Sequence, residues 1–394
     1  MQTLSFNGLD GSGKTEQVNL LRWSHPELFH FSNPLAEYSE CWPKLDPLQM
    51  SKWWFEEIPI DKFISIIIAS LNERNRDIAT GKITVHDRGQ RMYQAVCVAT
   101  WCTREDITYE EAMDKVANRF SREIENPPEE MEIFLNVDPT YQLSISPYLQ
   151  HVMKKPKRPE WMDRRYARYQ QNLHFALSSL CQIKSPNVEV VVDDCAILVH
   201  NQICHHLNKS FGLQLSPAIE HLKLLIGFGG YSESGKSSFA DRLRLEFGFV
   251  RLKFRFFSQS LRANNSEVNP QTISYEVMRF IEQHPFAEYF SVESLHGFNA
   301  SAYLKLLLGN RYKVIFMDAG REQRIARMAD KTGIGHKEAE IIIDEKDAKK
   351  RQNGSEIVRE KADLLVDNSI SSKQSFSNLL RELGLSDPVT SLGL

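Results

Sequence analysis

Gly8-Leu9-Asp10-Gly11-Ser12-Gly13-Lys14-Thr15 and Gly230-Tyr231-Ser232-Glu233-Ser234-Gly235-Lys236-Ser237 both satisfy GxxxxGK[ST]. A single match of this kind could be an ordinary Gly-rich turn with an exposed lysine. Here the context repeats as well as the pattern. Each stretch follows an apolar run that reads as a strand (Leu4–Asn7; Leu222–Phe228) and opens an amphipathic helical stretch (Glu16–Trp23; Ser238–Phe247). Glycines in such a loop turn successive backbone N–H groups inward, and the helix that follows adds its positive end, so the loop becomes a phosphate cradle.

Working outward, each half continues with the same alternation. The first half offers strand candidates at Leu28–Ser32, Ile83–Asp87, Glu132–Val137 and Val188–Val192. The second offers Phe249–Leu252, Phe290–Glu293, Lys313–Asp318 and Asp363–Val366. Helix-compatible stretches separate them, which implies parallel sheets covered on both faces. The predicted fold is α/β: two tandem P-loop NTPase domains of nucleotide kinase type, each a parallel sheet sandwiched by helices. The domains are expected at 1–207 and 220–394. The junction falls in Leu207–Ile219, where Asn208-Lys209-Ser210-Phe211-Gly212 and Ser216-Pro217 break the helical pattern. A chain of 394 residues suits two such domains.

The loops predict a site. Gly8, Asp10, Gly11, Ser12 and Gly13, with Gly230, Ser232, Glu233, Ser234, Gly235 and Ser238, would line bound ATP. Lys14 and Lys236 would reach its β- and γ-phosphates, and the Thr15 and Ser237 hydroxyls would ligate Mg²⁺. At the end of the third strand His86-Asp87-Arg88 offers Asp87 for the Mg²⁺ shell and Arg88 for an acceptor phosphate. An Asp–Arg ion pair at a strand end fits the same residues. Glu293 takes a comparable place in the second half. Basic segments come late in each half: Lys154–Arg165, then Arg321, Arg324 and Arg327 followed by Lys346–Arg351. They could close as lids whose positive charge offsets that of a transferring phosphoryl group, or simply be solvated helix faces.

Composition narrows the class. Lys and Arg number 48 against 51 Asp and Glu, a formal charge of -3, which disfavours a nucleic-acid coat protein without excluding a local anion site. The six cysteines form no CxxC pair, so neither a disulfide framework nor a zinc site is expected, and a reducing cytoplasm fits. No signal peptide is read at the start. The apolar run Phe63–Ala69 is too short to span a bilayer.

Phe6-Asn7-Gly8-Leu9-Asp10-Gly11-Ser12-Gly13-Lys14-Thr15-Glu16-Gln17, Asp87-Arg88 and Phe134-Leu135-Asn136-Val137-Asp138-Pro139 resemble the FEGxDGxGKTTQ, DR and LDVxP motifs of thymidylate kinase, over roughly residues 1–205. The resemblance implies Asp10 near an acceptor sugar and Arg88 on the acceptor phosphate. It also supports a guess of dimerisation. The chain departs from the pattern at Gly89, where the family has tyrosine. An arginine expected upstream falls near Ile67 in an ungapped comparison. His30–Pro34 replaces a segment that carries an arginine, and Tyr93-Gln94 fits only with a gap.

In the second half, Val314–Arg327, Thr332–Glu340 and Ala362–Asn368 are similar to motifs of dephospho-CoA kinase and the nucleoside monophosphate kinases, over about 222–375. Asp318-Ala319-Gly320 replaces the usual D-[AV]-P. Together the resemblances imply an ATP- and Mg²⁺-dependent kinase whose acceptor is a small nucleotide, a pyrimidine such as dTMP or a modified dUMP. Two alternatives stay open: a hydroxymethylpyrimidine in a nucleotide or in DNA as acceptor, or one module acting as a regulatory nucleotide switch.

Overall fold

In a computed structural model the described residues are 3–137, 159–183, 188–192, 195–295, 297–369 and 372–385. The chain divides into two compact units, Met1–Ala218 and Ile219–Leu394.

Unit 1 holds a five-stranded, wholly parallel sheet: β1 (Thr3–Gly8), β2 (Phe29–Phe31), β3 (Ile83–His86), β4 (Glu130–Asn136) and β5 (Val188–Val191), in the order β2-β3-β1-β4-β5. Its helices are α1 (Lys14–Ser24), α2 (Pro47–Lys52), α3 (Ile60–Arg76), α4 (Gln90–Arg104), α5 (Tyr109–Glu123), α6 (Glu160–Ile183) and α7 (Ala196–Phe211). Unit 2 repeats the plan with β6 (Leu224–Gly230), β7 (Val250–Lys253), β8 (Tyr289–Leu295), β9 (Tyr312–Asp318) and β10 (Leu364–Asp367), again wholly parallel. Its order, β7-β8-β6-β9-β10, places the five strands in the same sequence of positions as unit 1. The helices are α8 (Lys236–Phe247), α9 (Phe254–Ala263), α10 (Pro270–Glu282), α11 (Phe298–Leu308), α12 (Arg321–Thr332), α13 (His336–Gln352), α14 (Ser355–Glu360) and α15 (Ser372–Glu382). The chain therefore has the expected architecture of two tandem P-loop α/β units.

Central strands of such sheets are covered on both faces, and every residue of β1 and β6 is buried. In unit 1, Leu4, Phe6 and Ile133 pack with Val199, Ile203 and Leu207 of α7. A second core joins α3, α4 and α6 through Phe63, Ile67, Val96 and Leu173. In unit 2, Ile226 and Phe228 pack with Phe239, Leu243 and Phe376. Each fully buried Phe or Leu stabilises its unit by roughly 1.5–3 kcal/mol. Among the described residues no helix is long and apolar enough to cross a membrane.

Unit 1 extends beyond residue 207. α7 runs on to Phe211 and stops at Gly212. The Asn208 side chain, which suggests a helix break in sequence, instead bonds Leu215 twice, donating to its carbonyl and accepting from its N–H, both at 2.8 Å. Leu215 is thereby held in the unit 1 core.

Candidate functional site

In a parallel sheet of this order, the strands leave the central one in opposite directions, and the crevice at their carboxyl ends is where ligands sit. Both loops lie there, at the ends of β1 and β6. Each first glycine has a positive φ, 148° at Gly8 and 136° at Gly230. A Cβ at Gly8 would lie 2.6 Å from the Leu135 carbonyl, and one at Gly230 would collide with that of Met317. The glycines thus let each loop turn away hard against the neighbouring strand.

In unit 1 the Lys14 ammonium is buried and donates to the carbonyls of Gly8 and Leu9, each at 2.8 Å. Burial, then the nearby Arg88 charge, lowers its pKa to about 8. Thr15 Oγ1 donates to Asp87 Oδ2 at 2.8 Å, so these two residues come together as a hydroxyl–carboxylate pair. The other carboxylate oxygen, Asp87 Oδ1, is buried without a hydrogen-bond partner. An orphaned anionic oxygen beside a loop hydroxyl suits Mg²⁺, a hard cation that takes oxygen ligands.

Asp10 is a second focus. Arg88 Nη2 lies 3.4 Å from Asp10 Oδ1, while Tyr166 Oη (3.0 Å) and Gln170 Nε2 (2.9 Å), both on α6, donate to Oδ2. Burial works against the charge of Asp10. Lys14, Arg88 and the two donors outweigh it and hold the carboxyl below its ordinary range. Ser12 is buried in the loop, and Gly11 and Gly13 have positive φ.

Unit 2 builds the same pair with different chemistry. Ser237 Oγ donates to Glu293 Oε2 at 2.7 Å, and Glu293 stands opposite Phe228 of β6. Glu293 lies within β8, not at its end, and also pairs with Arg251 of β7. Lys236 donates to the Gly230 carbonyl at 2.9 Å, and Lys350 of α13 reaches the same oxygen at 3.3 Å. Burial, then the Lys350 charge, lowers the Lys236 pKa to about 7.

The later basic residues close around this loop. Arg327 donates to the Glu233 carbonyl (3.1 Å) and the Asn368 carbonyl (2.8 Å). Asn368 Nδ2 donates to the Ser234 carbonyl at 3.0 Å. Arg324 is buried and paired with Asp347, which accepts from the Ser232 N–H at 3.2 Å. Arg321 turns outward instead, to Asp344 and Glu340. Ser238 is exposed as the third residue of α8. In unit 1, Lys154–Arg158 of the first basic segment lie outside the described residues. Arg165 bonds the Phe55 carbonyl (3.1 Å) and Glu56 (2.8 Å) in the π-helical turn Trp53–Glu57.

Several site residues carry no local signal. Tyr166 and Gln170 reach Asp10 from a distant helix. Arg74 had a signal: it sits on the buried stripe Ile60, Phe63, Ile67, Leu71 of α3, a charge in an apolar series. Ile67 is wholly in the core. Arg74 donates to the Arg88 carbonyl at 2.6 Å and lies 5.7 Å from the Tyr93 ring. Gly89 also has a steric reason, because any Cβ there would collide with Ser5 of β1.

No family model and no curated relative matches the sequence. Among solved structures the chain is similar to deoxyadenosine kinase from M. mycoides, at 12% identity and TM-score 0.39 over 52% of this chain and 99% of that one. It is similar to thymidylate kinase from Candida albicans at 15% identity and TM-score 0.36 (53% and 91%), and to TT1252 from Thermus thermophilus at 16% and 0.28 (44% and 100%).

Proposed function

We propose that the chain is an ATP-dependent kinase of small nucleotides. Unit 1 would transfer the γ-phosphoryl group to a nucleoside monophosphate, a pyrimidine such as dTMP or a modified dUMP, and unit 2 would be a second kinase module. The observation that carries this reading is the repeated constellation of loop lysine, loop hydroxyl and strand carboxylate: Lys14, Thr15 and Asp87, then Lys236, Ser237 and Glu293.

In the transfer, an acceptor phosphate oxygen, already ionised at neutral pH, forms a bond to the γ-phosphorus. The bond from that phosphorus to the β-bridging oxygen breaks, and ADP leaves. No general base is needed, so catalysis is positioning and charge stabilisation. Lys14 and Lys236 leave their loop carbonyls for phosphate oxygens. Arg88, held through its carbonyl by Arg74, orients the acceptor, and Asp10 is placed for its sugar. Arg327 already lies against the second loop from the lid side. Mg²⁺, held by Thr15 and Asp87 or by Ser237 and Glu293, would neutralise phosphate charge.

The test is acceptor-dependent ADP release with Mg·ATP and a panel of dTMP, dUMP, 5-hydroxymethyl-dUMP, dCMP, AMP, GMP, CMP and dephospho-CoA. Lys14→Ala and Lys236→Ala are each expected to remove one distinct activity by about 100-fold or more. A lysine variant that changes only the other unit's kinetics would make its unit a regulatory switch. Absence of any acceptor-dependent turnover in the wild type would sink the small-nucleotide reading.

A further inference from the structure

Three donor side chains meet where α1 ends. His25 is the residue at which α1 stops. His200 and Cys204 stand four residues apart on α7 and so share a face. One ligand atom from each lies within 4.8 Å of the others. His200 and Cys204 are buried to 0% and 1% exposure, and His25 to 9%. Cys204 belongs to an apolar cluster with Val18 and Leu21 of α1 and Val199, Ile203 and Leu207 of α7.

The geometry already approaches a coordination polyhedron. His200 Nε2 is 3.5 Å from Cys204 Sγ. A tetrahedral ion with ordinary metal–nitrogen and metal–sulfur bonds sets those two atoms about 3.5 Å apart. The Ser24 hydroxyl now sits among the donors, 2.7 Å from His25 Nδ1 and 3.2 Å from His200 Nε2, and bonds the Leu20 carbonyl at 2.8 Å. His25 ends α1 with a backbone that is no longer helical, and on binding an ion its ring would turn toward the other two donors. Its Nε2 then exchanges the N–H of Ser216, 3.2 Å away, for a new partner. The triad contains no carboxylate, so its two nitrogens and one sulfur suit a borderline-soft ion and not Mg²⁺ or Ca²⁺.

We propose that His25, His200 and Cys204 form a binding site for a zinc-type divalent ion, with water in the fourth position. On binding, the Cys204 thiol proton passes to solvent and the sulfur donates an electron pair, with no change of oxidation state. The ion pins the far end of α1, the helix that Lys14 begins, to α7. No cysteine pair announces the site in the sequence, because its donors come from helices at opposite ends of unit 1. The site does not depend on the kinase reading.

The test is titration of the metal-stripped full chain with Co²⁺, then displacement by Zn²⁺. One equivalent should give a near-ultraviolet thiolate-to-cobalt band with tetrahedral visible bands, and Zn²⁺ should raise the melting temperature. Cys204→Ser should remove the ultraviolet band and weaken binding by about 100-fold or more, and His25→Gln should weaken it comparably. His205→Gln, at an exposed neighbour, should change nothing. A wild-type chain without the thiolate band would overturn the proposal. So would a band that survives in Cys204→Ser, or one untouched by His25→Gln, the second variant standing in should the cysteine change unfold the chain.

Discussion

Two residues show how local chemistry constrains the site. Gly89 touches Ser5 so closely that no side chain fits, although its φ is ordinary. Gly89→Ala must push β1 and the start of α4 apart, and we expect it to destabilise unit 1 by about 1–3 kcal/mol in urea unfolding. The absence of a tyrosine after Asp87-Arg88 is therefore a packing solution. Lys236 shows the electrical constraint. Its folded pKa, about 7, lies below the ordinary 10.5. Between these values the unfolded chain binds more protons, so this group makes stability rise with pH from about 7 to 10.5, and its penalty is fully present below 7. A bound polyphosphate restores the ammonium. ATP binding near pH 8 should thus take up protons, less so at pH 6, and Lys236→Met should reduce the uptake. Calorimetry in buffers of different ionisation enthalpy measures it; uptake unchanged by the substitution would contradict the assignment.

At the scale of elements, a buried ion pair between Arg324 of α12 and Asp347 of α13 stands behind the second loop, where Asp347 accepts the Ser232 N–H. Asp347→Asn keeps an acceptor for Ser232 but leaves the Arg324 charge buried without its partner. We expect a loss of about 3 kcal/mol. Arg321→Met, which breaks only exposed pairs, should cost under about 1 kcal/mol, both read as urea midpoints. The strands themselves were legible because a strand buried on both faces is an uninterrupted apolar run, as Leu224-Leu225-Ile226 shows. The two loops were legible because their geometry depends on glycines close together in sequence. Legibility ended where a contact is tertiary. Asn208 looked like a helix breaker until Leu215 returned to satisfy it. Tyr166 and Gln170 look like surface polar residues of a long helix until α6 is laid against Asp10.

At the scale of the molecule, the two units have separate cores, and an injury to one should not erase the other. Phe228 is wholly buried in β6. Phe228→Ala should destabilise unit 2 by about 3–5 kcal/mol. The ATP site proposed for unit 1, followed by a fluorescent nucleotide during heating, should melt where it does in the wild type; a matching downward shift would show that the units unfold together. The shared strand order has a further consequence, for synthesis. Leu4 is made before both of its sheet neighbours, Val85 and Met131. At ~5–20 residues per second, β1 waits roughly 6–25 s for its second neighbour. Both edges of this apolar segment stay open until β3 is made, and one stays open until β4 follows, so unit 1 gains from a chaperone during that part of translation.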